Sequence, residues 1–367
     1  MRKNTRLVAL LAFAIPFAGH SQTENIDLGM MQKIREEGLK NSKVMEIAFN
    51  LTDKSGNRLT ASPGFMRAAN YAKETLAGWG LTNAALVPWG EFGKGWELEK
   101  SYVAITAPYY KPLSAYPKAW TAGTKGLKNV EVLVISAKDT MALEGYRGQL
   151  KGKVIILDTL AVYKPSFKAD AHRYEDSDLT RMANEKMPAP RPQINPNDTA
   201  ALRRQRQQFA GRGGGQAARI LTILKEMAKS EGAVAIFSSG SPRSHDGTIF
   251  AQGGGAYKAT DPENFPDIVL GIEDYNTILR LARTGMPVKM DVDVKTKFQT
   301  KDLNGYNVIA EIPGTDPKLK DEIVMIGAHL DSWQTATGAT DNASGSSVML
   351  EAIRILKTLG VNNKRNT

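Results

Sequence analysis

The sequence predicts an α/β protein, and three features indicate this. An amphipathic helix is expected from Pro63 to Gly80, because apolar residues recur at helical spacing and Ser62 can cap its first turn. A strand is expected over Glu322–Ala328, because its centre is continuously apolar, as in strands buried on both faces of an α/β sheet. A second amphipathic helix is expected over Ser344–Leu359, with a glycine directly after it.

Short strands are predicted between these helices. Each is a run of β-branched or apolar residues bounded by turn residues. In chain order the predicted strands are 102–106, 130–135, 154–157, 233–237, 267–272, 292–294 and 306–312, and a further helix is predicted over 216–230. The polar, basic and proline-rich stretch 158–215 is predicted to be a long excursion from the core.

Composition narrows the classes of function. A chain of 367 residues with 42% hydrophobic residues can form two or three domains with sizeable cores. The net charge is +10, but its densest basic group, at 203–212, includes only Phe209 as an aromatic neighbour, which favours a solvated loop over nucleic-acid binding. There are no cysteines, so any metal must be held by His, Asp and Glu.

The N-terminus has the pattern of an export signal. Three basic residues within the first six precede an apolar stretch over 7–17, and small residues lead up to Gln22. We therefore predict a signal peptide over 1–21 and a periplasmic or extracellular protein. The apolar stretch is too short for a stable membrane span, so none is expected after signal cleavage. An uncleaved anchor is the alternative.

A candidate metal site follows the predicted strand 322–328. His329 and Asp331 lie just past its carboxyl end, where ligands gather in α/β sheets. Residues two apart in an extended segment point the same way, so Asp331 can accept a hydrogen bond from the His329 imidazole or reach a metal itself. Asp341 follows a short loop that Gly338 allows to fold back, and its two carboxylate oxygens can bridge two ions about 3.5–4 Å apart.

Three segments resemble the co-catalytic zinc exopeptidases of metallopeptidase family twenty-eight, which include bacterial aminopeptidases and plasma glutamate carboxypeptidase. They are Asn307–Gly314, Gly327–Ser332 and Gly338–Gly345. The middle of the chain resembles a protease-associated domain. The resemblance implies an incomplete zinc-peptidase α/β sheet sandwich with this β-rich domain inserted. The implied order is a signal peptide at 1–21, the N-terminal part of the peptidase domain at 22–110, the protease-associated insertion at 111–290 and the start of the zinc-peptidase core at 291–367.

The resemblance also implies roles for three residues. His329 is similar to a ligand of one zinc ion, and Asp341 is similar to the carboxylate that bridges two zinc ions. Asp331 is similar to the catalytic-site residue that orients the histidine. The implied activity is hydrolysis of a peptide substrate by water activated between two zinc ions. Aminopeptidase is the leading specificity, and carboxypeptidase is left open.

Other residues of the family site have no counterpart in this sequence. The family's Glu-Glu pair, a further Asp and a distant His do not follow before Thr367, and Glu36-Glu37 lies far upstream. We therefore expect a C-terminally truncated chain that is inactive and poorly folded at its C-terminus. The alternative is a secreted module that binds peptide or protein and carries a vestigial peptidase part.

Overall fold

The structure is a computed structural model that describes residues 26–162, 167, 169, 171–186, 214–240 and 248–367. The predicted signal peptide, 1–21, and the basic group at 203–212 lie outside the described residues. Within those ranges, no helix has both the length and the apolar character needed to cross a membrane.

Eight strands form one mixed sheet. They are β2 (Gly95–Ala107), β3 (Lys111–Pro112), β4 (Ala115–Pro117), β5 (Lys128–Ile135), β6 (Val154–Leu157), β7 (Ala235–Ser239), β8 (Asp267–Leu270) and β9 (Lys289–Gln299). Their order across the sheet is β3-β2-β9-β5-β6-β7-β8-β4. The central strands β5 to β8 are parallel, whereas β9 runs antiparallel to both β2 and β5.

Helices cover both faces of the parallel strands. They are α4 (Thr140–Glu144), α6 (Gly214–Glu231) and α7 (Ile272–Arg283), while α5 (Asp176–Ala183) has no buried residue. In β6, Ile156 packs in one cluster with Ile278 of α7, and the adjacent Ile155 packs in another with Leu224 of α6. Because successive strand residues point to opposite faces, a continuous apolar run such as β6 fills both cores.

A second, smaller layer carries the terminal parts of the chain. Strands β1 (Thr82–Glu91) and β10 (Asn304–Glu311) pair antiparallel, and helices α1 (Leu28–Lys40), α2 (Val44–Leu51), α3 (Pro63–Gly78) and α8 (Ser344–Thr358) lie near them. One core joins Ile47 of α2, Ala72 of α3 and Leu350 of α8. Helix α3 starts as predicted, since the Ser62 hydroxyl accepts a hydrogen bond from the Phe65 N–H at 3.2 Å.

The α/β class is confirmed, and each strand predicted before residue 313 is present, several with different bounds; the strand predicted over 267–272 ends at Leu270, and Ile272 begins α7. The predicted strand Glu322–Ala328 is wrong. Only one isolated bridge forms there, between Ile323 and Asn366, and Met325 is 88% exposed. A strand needs a partner along its length to pair its backbone groups, and among the described residues only the segment around Asn366 runs beside it.

The predicted domain division stays a prediction. Strand β2 precedes the middle region 111–290 and β9 runs across its end, and both lie in the same sheet as β5 to β8. The identity of the middle region as a protease-associated domain also stays a prediction.

Candidate metal centre

The three residues predicted for the site lie together. His329 and Asp331 belong to a segment that is neither helix nor strand, and Asp341 lies in the short turn Ala339–Ala343 that leads directly into α8. His329 Nδ1 is 3.1 Å from Asp331 Oδ1, and His329 Nε2 is 3.1 Å from Asp341 Oδ1. The imidazole therefore sits between two carboxylates, and all three side chains are open to solvent, with 56%, 44% and 77% of their area exposed in chain order.

The donor atoms of His329 and Asp341 suit zinc. Imidazole nitrogen and carboxylate oxygen are both zinc ligands, and two such atoms on one tetrahedral ion lie about 3.3 Å apart. The observed separation of 3.1 Å is close to that value. Within the described ranges, no group of three or more His, Asp or Glu side chains is arranged to hold a metal ion. The residues present thus fit zinc as a pair of ligands.

The start of α8 holds the backbone of His329. The Ser346 hydroxyl donates to the His329 carbonyl oxygen at 3.1 Å, and the Asn342 side-chain amide approaches the same oxygen at 3.4 Å. Asn342 also accepts the Gly345 N–H at 3.2 Å, so it satisfies one of the unpaired donors of the helix N-terminus. The first turn of α8 therefore joins the two halves of the site.

Gly338 closes the loop between the two candidate ligands. Its backbone is left-handed, with φ of +62°, and a Cβ atom added there would lie 2.3 Å from Cβ of Ser332. A side chain would therefore meet both backbone strain and a clash. The loop folds back as the sequence predicts.

Arg58 contacts this loop from the N-terminal part of the chain and is fully buried. Its guanidinium donates to the carbonyl oxygens of Leu330 at 2.7 Å and Gly338 at 3.0 Å, and also to that of Thr337. A fourth hydrogen bond, 2.9 Å long, reaches the carbonyl of Leu51 at the end of α2. Burial lowers the pKa of Arg58, and the negative charge of Asp331 opposes that shift. An arginine remains protonated in such a setting.

Thr60 supports the carboxylate of Asp331. Its hydroxyl donates to Asp331 Oδ2 at 2.7 Å, while Oδ1 faces the imidazole of His329. The loop after Asp331 also contacts the eight-stranded sheet. The Tyr116 hydroxyl in β4 donates to the Gln334 carbonyl of this loop at 2.6 Å. Burial raises the pKa of Tyr116, which keeps that hydroxyl protonated.

Sequence reasoning missed Arg58 and Thr60. They lie 271 or more residues before their main partners in the loop, and Asn57-Arg58-Leu59-Thr60 matches no motif. No local signal identifies them. Only the folded arrangement of α2, α3 and the loop places them beside Asp331.

Comparison with known proteins gives a family match over the segment that contains the candidate metal centre. Residues 307–366 match the model of Peptidase family M28. Carboxypeptidase Q of Bos taurus is 25% identical over 317 residues, which cover 86% of this chain and 54% of that protein. Carboxypeptidase Q of Rattus norvegicus is 33% identical over 100 residues, covering 27% of this chain and 21% of that protein.

A solved structure shares the fold. The peptidase M28 precursor of Shewanella amazonensis SB2B superposes with a TM-score of 0.54 at 21% identity, covering 92% of this chain and 65% of that one. These matches are all to peptidases. The chain is similar to members of Peptidase family M28, and the segment that matches the family model contains His329, Asp331 and Asp341. It spans about half the length of the bovine relative.

Proposed function

We propose that this chain is part of an exported zinc-dependent exopeptidase, in which His329 and Asp341 bind zinc and Asp331 orients the histidine. One observation carries the proposal: the two ring nitrogens of His329 each lie 3.1 Å from a carboxylate oxygen of a different aspartate. One aspartate can then hold the proton on Nδ1 while Nε2 presents its lone pair to a metal.

Each residue has a separate task in this proposal. Asp331 fixes the tautomer and the ring plane of His329, and Asp341 offers one oxygen beside Nε2 and a second oxygen for a further zinc ion. When bound, zinc would act as a Lewis acid toward water and toward a peptide carbonyl. The exposure of the three side chains leaves room for a peptide to approach them.

Zinc binding tests the proposal. Isothermal titration of the full chain with Zn²⁺ should show binding that weakens at least about tenfold on His329→Ala or Asp341→Ala, because each change removes one of two ligands. His172→Ala is the matched control, since His172 is exposed and lies outside the site. Equal zinc affinity in all four chains would reject the ligand assignment.

The proposed substrate is a peptide cleaved at its end, with amino-terminal cleavage as the leading proposal. The similarity to carboxypeptidase Q over 86% of this chain favours carboxyl-terminal cleavage as the second candidate. Hydrolysis of a leucine anilide, compared with hydrolysis of a dipeptide blocked at its amino group, separates the two. Activity on the blocked dipeptide alone would overturn the aminopeptidase proposal.

Export is proposed from the signal pattern at 1–21. Expression of the full chain in a bacterium, followed by N-terminal sequencing of protein from the periplasm or medium, should give a first residue of Gln22. Recovery of only the unprocessed chain in the membrane fraction would instead support the uncleaved anchor.

A further inference from the structure

We propose that Arg58 is the positioning residue that sets the spacing between the two zinc ligands, an inference that rests on the proposed zinc site. Twelve positions separate His329 from Asp341, and the loop between them has to return on itself. The Arg58 guanidinium binds this loop at both ends. It donates to the carbonyl directly after His329, and to two carbonyls shortly before Asp341.

The geometry of the guanidinium suits this task. Its planar fork carries five N–H donors in fixed directions. Nε donates to Leu330, Nη1 to Leu51 and Thr337, and Nη2 to Gly338. All four acceptors are main-chain carbonyl oxygens, so the fork fixes the path of the backbone. A lysine ammonium is a compact point charge that cannot span the same set of acceptors.

The backbone of Arg58 binds the loop as well. Its N–H donates to the Ser332 hydroxyl at 3.0 Å, and its carbonyl accepts the Ser332 N–H, also at 3.0 Å. Arg58 therefore contacts the loop near its start, along its course and at its end. Leu51 closes the final turn of α2, and a cation is favourable at the C-terminus of a helix. The loop is thus attached to a packed helix.

The burial of Arg58 makes this attachment stiff. Arg58 has 0% of its surface exposed, and a buried charge is costly unless its donors are satisfied. Moving the loop away would remove three of the four hydrogen bonds of the guanidinium. The loop conformation that brings Asp341 Oδ1 to 3.1 Å from His329 Nε2 is therefore the one in which the Arg58 guanidinium makes all four of these hydrogen bonds.

The test compares Arg58→Lys with Arg67→Lys in the full chain. Arg67, which is exposed, is the control, because its guanidinium also donates to a main-chain carbonyl, that of Ser55, at 2.7 and 3.2 Å, but it does not bind the loop. Two quantities are measured: the dissociation constant for Zn²⁺ by calorimetry, and amide hydrogen exchange of residues 330–338 in metal-free protein. The second quantity does not depend on zinc binding.

We expect Arg58→Lys to weaken zinc binding about tenfold or more, as for other residues that orient metal ligands. Exchange in 330–338 should accelerate about tenfold, because local opening no longer breaks the guanidinium contacts, while exchange in α6 and α7 stays unchanged. Arg67→Lys should change neither zinc affinity nor loop exchange by more than about twofold. Unchanged zinc affinity and unchanged loop exchange in Arg58→Lys would overturn the proposal.

Two further outcomes keep this inference separate from the proposed zinc site. If the natural chain binds no zinc but Arg58→Lys still accelerates loop exchange, Arg58 positions the loop and the zinc assignment falls. If Arg58→Lys does not fold, Ser332→Ala takes its place, because it removes the hydroxyl that accepts the Arg58 N–H and leaves the guanidinium intact. Loop exchange in folded Ser332→Ala that matches the natural chain would then overturn the proposal.

Discussion

The side-chain hydroxyl of Thr60 lies 2.7 Å from Oδ2 of Asp331, across 271 positions of sequence. The other oxygen of Asp331 faces Nδ1 of His329 at 3.1 Å. Both carboxylate oxygens therefore have partners within the protein. These two contacts fix the orientation of the carboxylate beside the imidazole, which favours a role for Asp331 in orienting His329.

Replacing Thr60 by Val should weaken zinc binding while the fold persists. Valine keeps the shape of threonine but has no hydroxyl, so Asp331 loses one of its two hydrogen bonds and holds His329 less firmly. We expect the zinc dissociation constant, measured by calorimetry, to rise about tenfold. Thr60→Ser should retain natural affinity, because it keeps the hydroxyl.

Thr296→Val is the matched control for this change. Thr296 is also half-buried, and its hydroxyl donates to the Thr121 carbonyl at 3.1 Å, away from the site. Its zinc affinity should equal that of the natural chain. Equal affinities for Thr60→Val and Thr296→Val would show that Thr60 has no part in the site.

Gly338→Ala should destabilise the chain more than Gly360→Ala. Both glycines have left-handed backbones, with φ of +62° and +61°, but only at Gly338 would the new Cβ meet another residue, Ser332, at 2.3 Å. The backbone cost is about 1–2 kcal/mol for each, and overpacking at Gly338 adds about 1–3 kcal/mol. Urea unfolding measures the difference, and equal losses would contradict the close packing of the loop.

Local signals in the sequence predicted helices α3, α6 and α8 and most strands, since Ser62 and Pro63 define a helix start by themselves. They also placed His329, Asp331 and Asp341 near each other, because a glycine turn followed directly by a helix start leaves few other paths for the chain. Local signals could not predict Arg58, whose role depends on contacts about 270 residues away. They gave the wrong result at Ile323–Ile326, because an apolar run shows that burial is favourable, not that a partner strand is present.

The exposure of the segment Ile323–Ile326 can be tested by comparing substitutions at an exposed and a buried methionine. Met325 is 88% exposed, whereas Met290 in β9 is 0% exposed. Met325→Lys should change the free energy of unfolding by no more than about 0.5 kcal/mol, as expected for a surface position. Met290→Lys should cost several kcal/mol, because it buries an unpaired charge. A comparable loss for Met325→Lys would indicate that this segment is packed in solution.

Arg354→Met should destabilise the attachment of α8 to α1. The Arg354 guanidinium donates to both carboxylate oxygens of Glu351, at 2.8 and 2.9 Å, and to Glu37 at 2.7 Å, and all three side chains are at most 13% exposed. These hydrogen bonds raise the pKa of Arg354. Removing the arginine leaves the buried Glu351 carboxylate without its charged partner, at a cost of about 3–5 kcal/mol.

Adding Glu351→Gln to Arg354→Met should recover part of that loss, because it neutralises the stranded carboxylate. Thermal or urea unfolding of the two variants and the natural chain measures both effects. A double variant less stable than Arg354→Met alone would show that Glu351 contributes through other contacts, such as the Lys43 N–H that it accepts at 3.1 Å.

The stability of the sheet core should fall at alkaline pH through Tyr275. This residue is 4% exposed, and its hydroxyl donates to the Leu157 carbonyl at 2.7 Å. Burial, aided by the negative charge of Asp158, raises its pKa from 10.0 to about 12. The folded state thus retains the proton over a range in which the unfolded state has lost it. The resulting stabilisation is complete below pH 10 and is lost as the pH rises toward 12.

The size of the effect follows from the two pKa values. By pH 11 the loss amounts to about 1.4 kcal/mol. Tyr275→Phe lacks the ionising group, so the stability difference between the natural chain and Tyr275→Phe should shrink by that amount between pH 8 and pH 11 in urea unfolding. Tyr109→Phe is the control, because Tyr109 is 49% exposed; its difference from the natural chain should stay constant. A constant difference for Tyr275→Phe would mean that the hydroxyl reaches water in the folded protein.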